Sequence, residues 1–187
     1  MRQMRKILAA LICGFAACAA AYATSLARMS LEQLTSAADA IAQVECVSAS
    51  ATWQDGAIWT RSTFRVVETL KGDLGTEVTV RLPGGRVGPL TATVDGAPRF
   101  FPGEEAIVFL ARTRSGDYSV AGWVEGTFRV ERDARTGRRS VTQESSAFAV
   151  FDLATRQFRS AGIRRMPIEE FRARVAAAMA REKERTP

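Results

Sequence analysis

Three predicted strands lie in residues 63–85, TFRVVETLKGDLGTEVTVRLPGG, and 100–110, FFPGEEAIVFL, and the rest of the chain extends the sheet that they form. From residue 77 to residue 82, apolar and polar side chains alternate, a period of two that is typical of a half-buried strand. The Lys-Gly-Asp-Leu-Gly segment before it supplies glycines for positive φ and an aspartate for turn hydrogen bonds. Residues 106–110 are continuously apolar, so this strand is expected to be buried on both faces.

Residues 1–23 have the pattern of a signal peptide. Three basic residues precede an apolar run over residues 7–20, and Ala-Tyr-Ala then predicts cleavage before Thr24. An uncleaved membrane anchor is one alternative, but the apolar run is short for a spanning helix. Lipid attachment at Cys18 is another. Residues 24–187 are therefore expected to be exported, periplasmic or secreted, with no membrane span after cleavage.

The composition indicates a single exported domain with little excess charge. Cleavage removes three of the 26 Lys and Arg residues and none of the 20 Asp and Glu residues, which leaves a net charge of +3. Because this charge is small and an exported protein meets little nucleic acid, no nucleic-acid partner is expected. The remaining chain suits one domain with its core at about 38–143. Only Cys46 survives cleavage, so no intramolecular disulfide is expected.

The sequence contains no histidine, which excludes the common catalytic and metal-binding groups that depend on it. A Ser–His–Asp triad, a Cys–His pair and a His-ligated zinc site cannot form. Glu104 and Glu105 are adjacent, and successive strand residues point to opposite faces, so these two cannot act as a carboxylate dyad. They are expected to lie at a solvated strand entry. The sequence therefore predicts no catalytic residue, no cofactor and no metal ligand.

A short helix and a long hairpin are predicted near the start of the mature chain. Ser30 and Gln33 have the spacing of a capping box, which predicts a helix over residues 31–37. Strands at 41–53 and 58–70 flank an Asp-Gly turn, and this pattern is typical of a two-residue hairpin.

The predicted hairpin register leaves neither face cleanly apolar. A two-residue turn places Val47 opposite Phe64, and the apolar residues then change face along the strand. Long strands with such a change of phase usually carry a bulge, as strands that wrap a small barrel must. We place this bulge between Gln43 and Cys46.

Glycine-rich and proline-rich turns separate the remaining predicted elements. Residues 83–89 are interpreted as a loop, and residues 118–124, 127–131 and 138–143 as strands. Residues 144–165 fit either an edge strand or a segment that lies over a barrel mouth.

An amphipathic helix is predicted over residues 167–183. Proline at its first turn and two glutamates after it are typical of a helix N-terminus. Its apolar stripe consists of Ile168, Phe171, Val175 and Met179. We expect the stripe to plug an open barrel end while the helix arginines, Arg172 and Arg174 among them, stay in water.

Several segments resemble a family of secreted bacterial proteins: ADAIAQVECV at 38–47, LKG at 70–72, VTVRLPGG at 78–85 and FFPGEEAIVFL at 100–110. The order of elements is also similar, more remotely, to the netrin module and the tissue inhibitors of metalloproteinases. This resemblance implies a five-stranded OB-like barrel with a helix on it. The animal inhibitors clamp a protease's zinc with an N-terminal cysteine, which a chain beginning at Thr24 lacks. The predicted fold class is mainly β with flanking helices: a small, closed or partly open OB-like β-barrel, a short N-terminal helix and a C-terminal amphipathic helix.

Three groups of residues are candidates for an interaction surface. The tryptophans of the long hairpin either stack on a ligand or pack on the sheet. The glycine-rich loop lacks the ending of a phosphate loop and is either a contact loop or a plain connection. The arginines between residues 156 and 174 either meet an anionic envelope surface or form a solvated face. The candidate residues are Trp53, Trp59, Gly84, Gly85, Arg86, Arg164 and Arg165.

These observations favour an exported, non-catalytic interaction module whose loops or edge bind another envelope or secreted protein. Protease modulation is one specific version, implied by the netrin resemblance alone. The alternative is a histidine-free enzyme that cleaves envelope glycans with two carboxyl groups facing each other across a cleft. The oligomeric state is left open.

Overall fold

The computed structural model describes residues 28–147, 149–152, 157–160 and 162–185. The predicted signal peptide and Cys18 lie outside these residues. The helices are α1 (Leu31–Ala37) and α2 (Ile168–Arg185). The strands are β1 (Ala40–Gln54), β2 (Ala57–Lys71), β3 (Glu77–Pro83), β4 (Gly85–Val87), β5 (Leu90–Ala92), β6 (Glu105–Arg112), β7 (Tyr118–Val120), β8 (Thr127–Arg132), β9 (Arg139–Gln143), β10 (Ala149–Asp152), β11 (Gln157–Ser160) and β12 (Met166–Pro167).

Eight strands form one sheet that bends back on itself. Its order is β1-β2-β3-β7-β6-β8-β9-β12, and β1 pairs with β6 as well as with β2. The ring β1-β2-β3-β7-β6 is joined between β3 and β7 by one parallel residue pair, Val80 with Tyr118, so it is only partly closed. The strands β4 and β5, and β10 and β11, form two separate hairpins. The predicted fold class, a mainly β barrel-like domain with a short N-terminal helix and a C-terminal helix, is confirmed.

The capping box of α1 forms as predicted. Ser30 Oγ accepts a hydrogen bond from Gln33 N at 3.2 Å, and Gln33 Oε1 accepts one from Ser30 N at 2.7 Å. Two of the N–H groups that a helix N-terminus leaves without partners are thereby satisfied.

The β1–β2 hairpin turns at the predicted residues. Asp55 and Gly56 have φ angles of 52° and 79°, the positive values that a two-residue turn of this kind requires. Trp53 lies opposite Ile58, as the two-residue turn demands.

The register farther along the hairpin differs from the prediction. Cys46, not Val47, lies opposite Phe64. Register shifts occur between Ile41 and Ala42, between Gln43 and Val44, and between Cys46 and Ser48. The predicted bulge is one of three irregularities, because a strand that bends around a ring must change its pairing more than once.

Two apolar clusters lie on opposite faces of the sheet. The inner cluster, inside the ring, includes Phe64, Phe100 and Val108. The outer cluster includes Phe109 and Phe128 together with residues of both helices. Successive residues of β6 alternate between the clusters, and residues 106–110 are all buried, as predicted.

The helix α2 packs on the outer cluster, so the prediction that it plugs a barrel end is wrong. Phe171 is fully buried, and its ring centroid lies 4.6 Å from that of Phe128. Phe109, Phe128 and Val141 leave an apolar outer face on the sheet, and such a face must be covered by another element. The helix therefore covers the outside of the sheet.

The prediction that Arg172 stays in water is also wrong. Its side chain is 24% exposed, pairs with Glu68 and donates to Gln43 Oε1 at 2.6 Å. Gln43 is fully buried and donates in turn to Glu105. Because buried polar groups need hydrogen-bond partners, the arginine completes a network between α2 and the sheet. Arg174, in contrast, is 55% exposed.

One predicted loop and one predicted strand also need correction. Residues 85–87 of the predicted loop form β4, which pairs with β5. The predicted strand 118–124 ends at Val120, because Gly122 and Trp123 have φ angles of 62° and 53° and begin a 3-10 turn over Trp123–Gly126. No extended strand continues through two residues in the left-handed region.

The segment 144–165 contains a 3-10 turn, Glu144–Ala147, and the β10–β11 hairpin. Phe148, which we expected either on an edge strand or in a segment over a barrel mouth, lies outside the described residues. Within the described parts of the chain, no helix is both long enough and apolar enough to cross a membrane.

Candidate functional site

The end of the β1–β2 hairpin meets the glycine-rich segment that follows β3. Gly84 N donates to Ile58 O at 2.8 Å, and Thr60 Oγ1 donates to Gly84 O at 2.7 Å. Gly85 has a φ angle of 133°, and a Cβ there would collide with Ala51 and Thr60. Only glycine permits this close approach of the backbone to the hairpin.

Trp59 lies on the outer face of the hairpin beneath an arginine. The Arg81 guanidinium stands 4.1 Å from the centroid of the Trp59 ring, a cation–π contact. The same guanidinium reaches Gln54 Oε1 at 3.4 Å. Pro83 lies opposite Trp59 in β3. The result is a half-buried indole framed by β1 and β3.

Trp53 and Arg86 are more exposed than Trp59. The Trp53 side chain is 56% exposed. Arg86 lies exposed on β4, where its Nε donates to Gly88 O at 3.2 Å. An indole this exposed is typical of contact surfaces, which are enriched in tryptophan and arginine. The hairpin-end surface consists of Trp59 and Arg81 on one face of the hairpin, and of Trp53 and Gly85 on the opposite face together with Arg86 of β4.

Arg164 and Arg165 lie elsewhere, beside β9. Arg164 donates to Ser146 O, and Arg165 N donates to Thr142 Oγ1 at 3.2 Å. Together with Glu131 they line an open depression of about 520 Å³. In the sheet order, β9 is five positions from β2, so the candidate residues form two separate surfaces.

Arg129 holds two glutamates at the entry to β6. Its Nη1 lies 2.7 Å from Glu104 Oε2, and its Nη2 lies 2.7 Å from Glu144 Oε2. Burial raises the pKa of Glu144, and Arg129 opposes that rise. Burial and the nearby Glu104 raise the pKa of the Cys46 thiol, which therefore disfavours the reactive thiolate.

Glu104 and Glu105 point to opposite faces, as predicted, but neither is simply solvated. Glu104 binds Arg129, whereas Glu105 binds Gln43 and Arg139. Each carboxylate is neutralised by an arginine, so both serve the packing of the sheet.

Glu125 is a buried carboxyl group in the 3-10 turn, only 3% exposed. Gln143 Nε2 donates to Glu125 O at 2.7 Å and to Glu125 Oε2 at 3.1 Å. Burial raises the pKa of Glu125, and the nearby Arg28 opposes that rise. Glu125 and Gln143 line a cavity of about 400 Å³ beside α1. Glu125 can hold a proton, but no second carboxyl group is among the described residues that line this cavity.

The other described cavities also contain one carboxyl group each. Glu131 lines the depression beside β9, and Glu182 lines a third cavity between α2 and the end of β2. Among the residues that the structure describes, no group of three or more Cys, Asp and Glu side chains is placed to hold a metal ion.

Neither Arg81 nor Arg129 was among the residues predicted from the sequence, although each binds several neighbouring groups. Arg81 alternates outward along β3, two residues before the proline that faces Trp59. That spacing was a usable signal, since cross-strand neighbours on one face lie within reach of a long side chain. Arg129 had no comparable signal, because Glu104 and Glu144 lie just outside β6 and β9, where strand alternation does not predict the direction of a side chain.

No protein-family model matches this chain, and no curated protein gives a significant match. The resemblance to the netrin module therefore stays a prediction.

Proposed function

We propose that this protein is an exported, non-catalytic interaction module of the cell envelope or the secreted fraction. It binds another envelope or secreted protein through the hairpin-end surface. Protease modulation is one specific form of this role, suggested by the netrin resemblance.

The observation that carries the proposal is the convergence at the end of the hairpin. Arg81 stacks on Trp59 on one face of the hairpin end, and Gly85 packs against Ala51 and Thr60 on the opposite face, where Trp53 is exposed. The glycine-rich segment follows Trp59 by more than twenty residues in sequence. Gly85 brings the backbone of β4 against the hairpin, which fixes the position of the surface. Rigid scaffolds that present aromatic and arginine side chains are typical of protein recognition.

The alternative, a carboxylate enzyme acting on envelope glycans, has less support. Such an enzyme needs two carboxyl groups facing each other across a cleft. Glu104 and Glu144 share one arginine instead, and the three described cavities contain one carboxyl group each. These facts favour a binding role over hydrolysis.

The proposal is tested by affinity capture with residues 24–187 from the organism's own envelope fraction. A partner should be retained by the wild type and lost with Trp59→Ala. Arg164→Ala is the matched control, because it removes a candidate residue from the separate surface beside β9, and it should retain the partner. Loss of the partner with Arg164→Ala and retention with Trp59→Ala would contradict the proposal.

Export is tested separately by the intact mass of the protein recovered outside the cytoplasm. The expected mass is that of a chain beginning at Thr24. Retention of Met1, or a diacylglycerol adduct on Cys18, would contradict this part of the proposal.

A further inference from the structure

The edge of β1 that faces away from β2 is paired along one half only. β6 pairs with this edge from Ala40 to Glu45. Two more backbone hydrogen bonds, both 2.8 Å, join Cys46 to residues 103 and 104. Farther along, β2 is the only strand in the described part of the chain that pairs with residues 48–54. This free edge therefore presents backbone N–H and C=O groups to solvent.

The free edge lacks the usual protection against pairing with another chain. Residues 47–54, VSASATWQ, contain no charged residue and no proline. All of them except Ala51 are exposed. Natural proteins block edge strands with charges, prolines or bulges, and the one register shift of this edge lies at its proximal end, between Cys46 and Ser48. An exposed, uncharged edge of this length is suited to accept a further strand.

Exposed apolar side chains stand at both ends of the free edge. Val47 is 48% exposed at one end, and Trp53 is 56% exposed at the other. At a rise of about 3.3 Å per residue, their Cα atoms are about 20 Å apart. Ser50 lies midway between them, and the residues around it are serine, alanine and threonine.

We propose that a second copy of this chain adds to the free edge in antiparallel orientation, with the two-fold axis at Ser50. In this register Ser50 lies opposite its own counterpart, and Trp53 lies opposite Val47 of the other copy. A two-fold interface must be complementary to itself, and this edge satisfies that requirement in size, polarity and charge. The small residues around Ser50 lie opposite those of the other copy, and Trp53 lies opposite Val47 at each end of the interface. No like charges are opposed within the edge.

The dimer goes beyond the proposed function and rests on a different observation. Pairing of the two edges would join the outer faces of two hairpins into one continuous surface. That surface carries two Trp59–Arg81 pairs, so a partner with two matching sites would bind with avidity. Loss of the dimer would leave Trp59 and Arg81 of each hairpin-end surface unchanged, because they lie on β2 and β3, and this keeps the two proposals separately testable.

The test is the molar mass of the mature protein by light scattering, with Ser50→Lys as the disrupting variant. Two lysines would face each other at the axis, with Arg61 beside each of them on β2. Ser36→Lys, which adds the same charge at an exposed position of α1, is the control. Because a single pair of strands is a small interface, the measurement runs from about 1 to about 100 μM.

The expected result is that wild type and Ser36→Lys pass from one to two chain masses as concentration rises. Ser50→Lys should need at least about tenfold more protein to do so. An equimolar mixture of Ser50→Lys and Ser50→Glu should regain the two-chain mass, which also shows that both variants fold. A wild type that stays at one chain mass, a Ser50→Lys variant that associates like the wild type, or a mixture that stays monomeric would each overturn the proposal.

Discussion

The two halves of β1 belong to one strand but have different surroundings. In the proximal half, residues 40–46, every residue except Glu45 is buried, and the strand pairs with β2 on one edge and β6 on the other. In the distal half, residues 47–54, every residue except Ala51 is exposed, and pairing is confined to β2. The inner and outer clusters pack against the proximal half only.

This difference shows how one strand can serve both the fold and a contact surface. The proximal half stabilises the protein because both of its faces and both of its edges are covered. The distal half takes its position from β2, the turn and the β4 backbone that packs on Ala51. Its other side chains and its outer edge are free for recognition. The predictions below test this division, beginning with the largest expected effect.

Removal of a fully buried side chain of the outer cluster, which covers the proximal half, should destabilise the protein most. Phe171 is fully buried in the same cluster as Ile41 of β1. We expect Phe171→Ala to lower the free energy of unfolding by about 3–5 kcal/mol, through lost transfer energy and a residual cavity. Arg174→Ala is the control, since that side chain is exposed, and should cost about 0.5 kcal/mol or less. Urea titration measures both. Equally mild effects would mean that α2 does not cover the sheet.

Thiol labelling compares the two halves directly. Cys46 is 1% exposed in the proximal half, and burial raises its pKa. A cysteine introduced by Ser50→Cys, in a Cys46→Ala background, lies in the exposed half. We expect it to react at least about 100-fold faster than Cys46, because Cys46 is reached only through local unfolding. Rapid labelling of Cys46 in the native protein would contradict the strand placement.

Glu125, in the 3-10 turn before β8, is a buried carboxyl group, and this gives a pH dependence. Because burial raises the pKa of Glu125, the folded state holds that proton more tightly than the unfolded state does. This contribution to stability is present below the ordinary pKa of 4.5 and is lost as the pH rises through the folded value. Glu125→Gln should therefore be more stable than the wild type at neutral pH, by up to about 1 kcal/mol.

The measurement for Glu125 is the urea midpoint of wild type and Glu125→Gln at pH 7 and at pH 4. The advantage of the variant should shrink at the lower pH, where the wild-type carboxyl group is protonated. An advantage of the same size at both values would mean that ionisation of Glu125 is not its cause.

The smallest effect is expected in the distal half. Ser50→Lys places a charge on an exposed residue beside Arg61. It should lower the free energy of unfolding of the monomer by about 0.5 kcal/mol or less. Urea titration at low protein concentration checks this value. A cost near that of Phe171→Ala would show that the distal half is as structural as the proximal half.

Much of the fold was predictable because it follows from local patterns. The Asp55-Gly56 turn, the capping box at Ser30 and the alternation along β3 each depend on a few neighbouring residues, and all are confirmed. The registers of β1 and β2 were not predictable in the same way. Three irregularities arise from the bending of the sheet around the ring, and a sequence pattern does not specify where bending is taken up.

The position of α2 and the candidate surface show the same limit. The apolar stripe predicted a buried helix face, but it did not specify which apolar surface the stripe meets. For the same reason we expected Arg172 in water, since the sequence does not show that the buried Gln43 accepts a hydrogen bond from it. Trp53 and Trp59 were identified as candidates from residue type, whereas the division of β1 into a covered and a free half depends on where β6 ends.

Hydrogen exchange at individual amides of β1 tests this division most directly. Amides of residues 40–46 should exchange slowly, and each should exchange at the same rate in wild type at high concentration as in Ser50→Lys. Amides of residues 48–54 that face away from β2 should be protected in the wild-type dimer and exchange at least about tenfold faster in Ser50→Lys. Equal protection of the distal amides in both proteins, or fast exchange in the proximal half, would contradict the account.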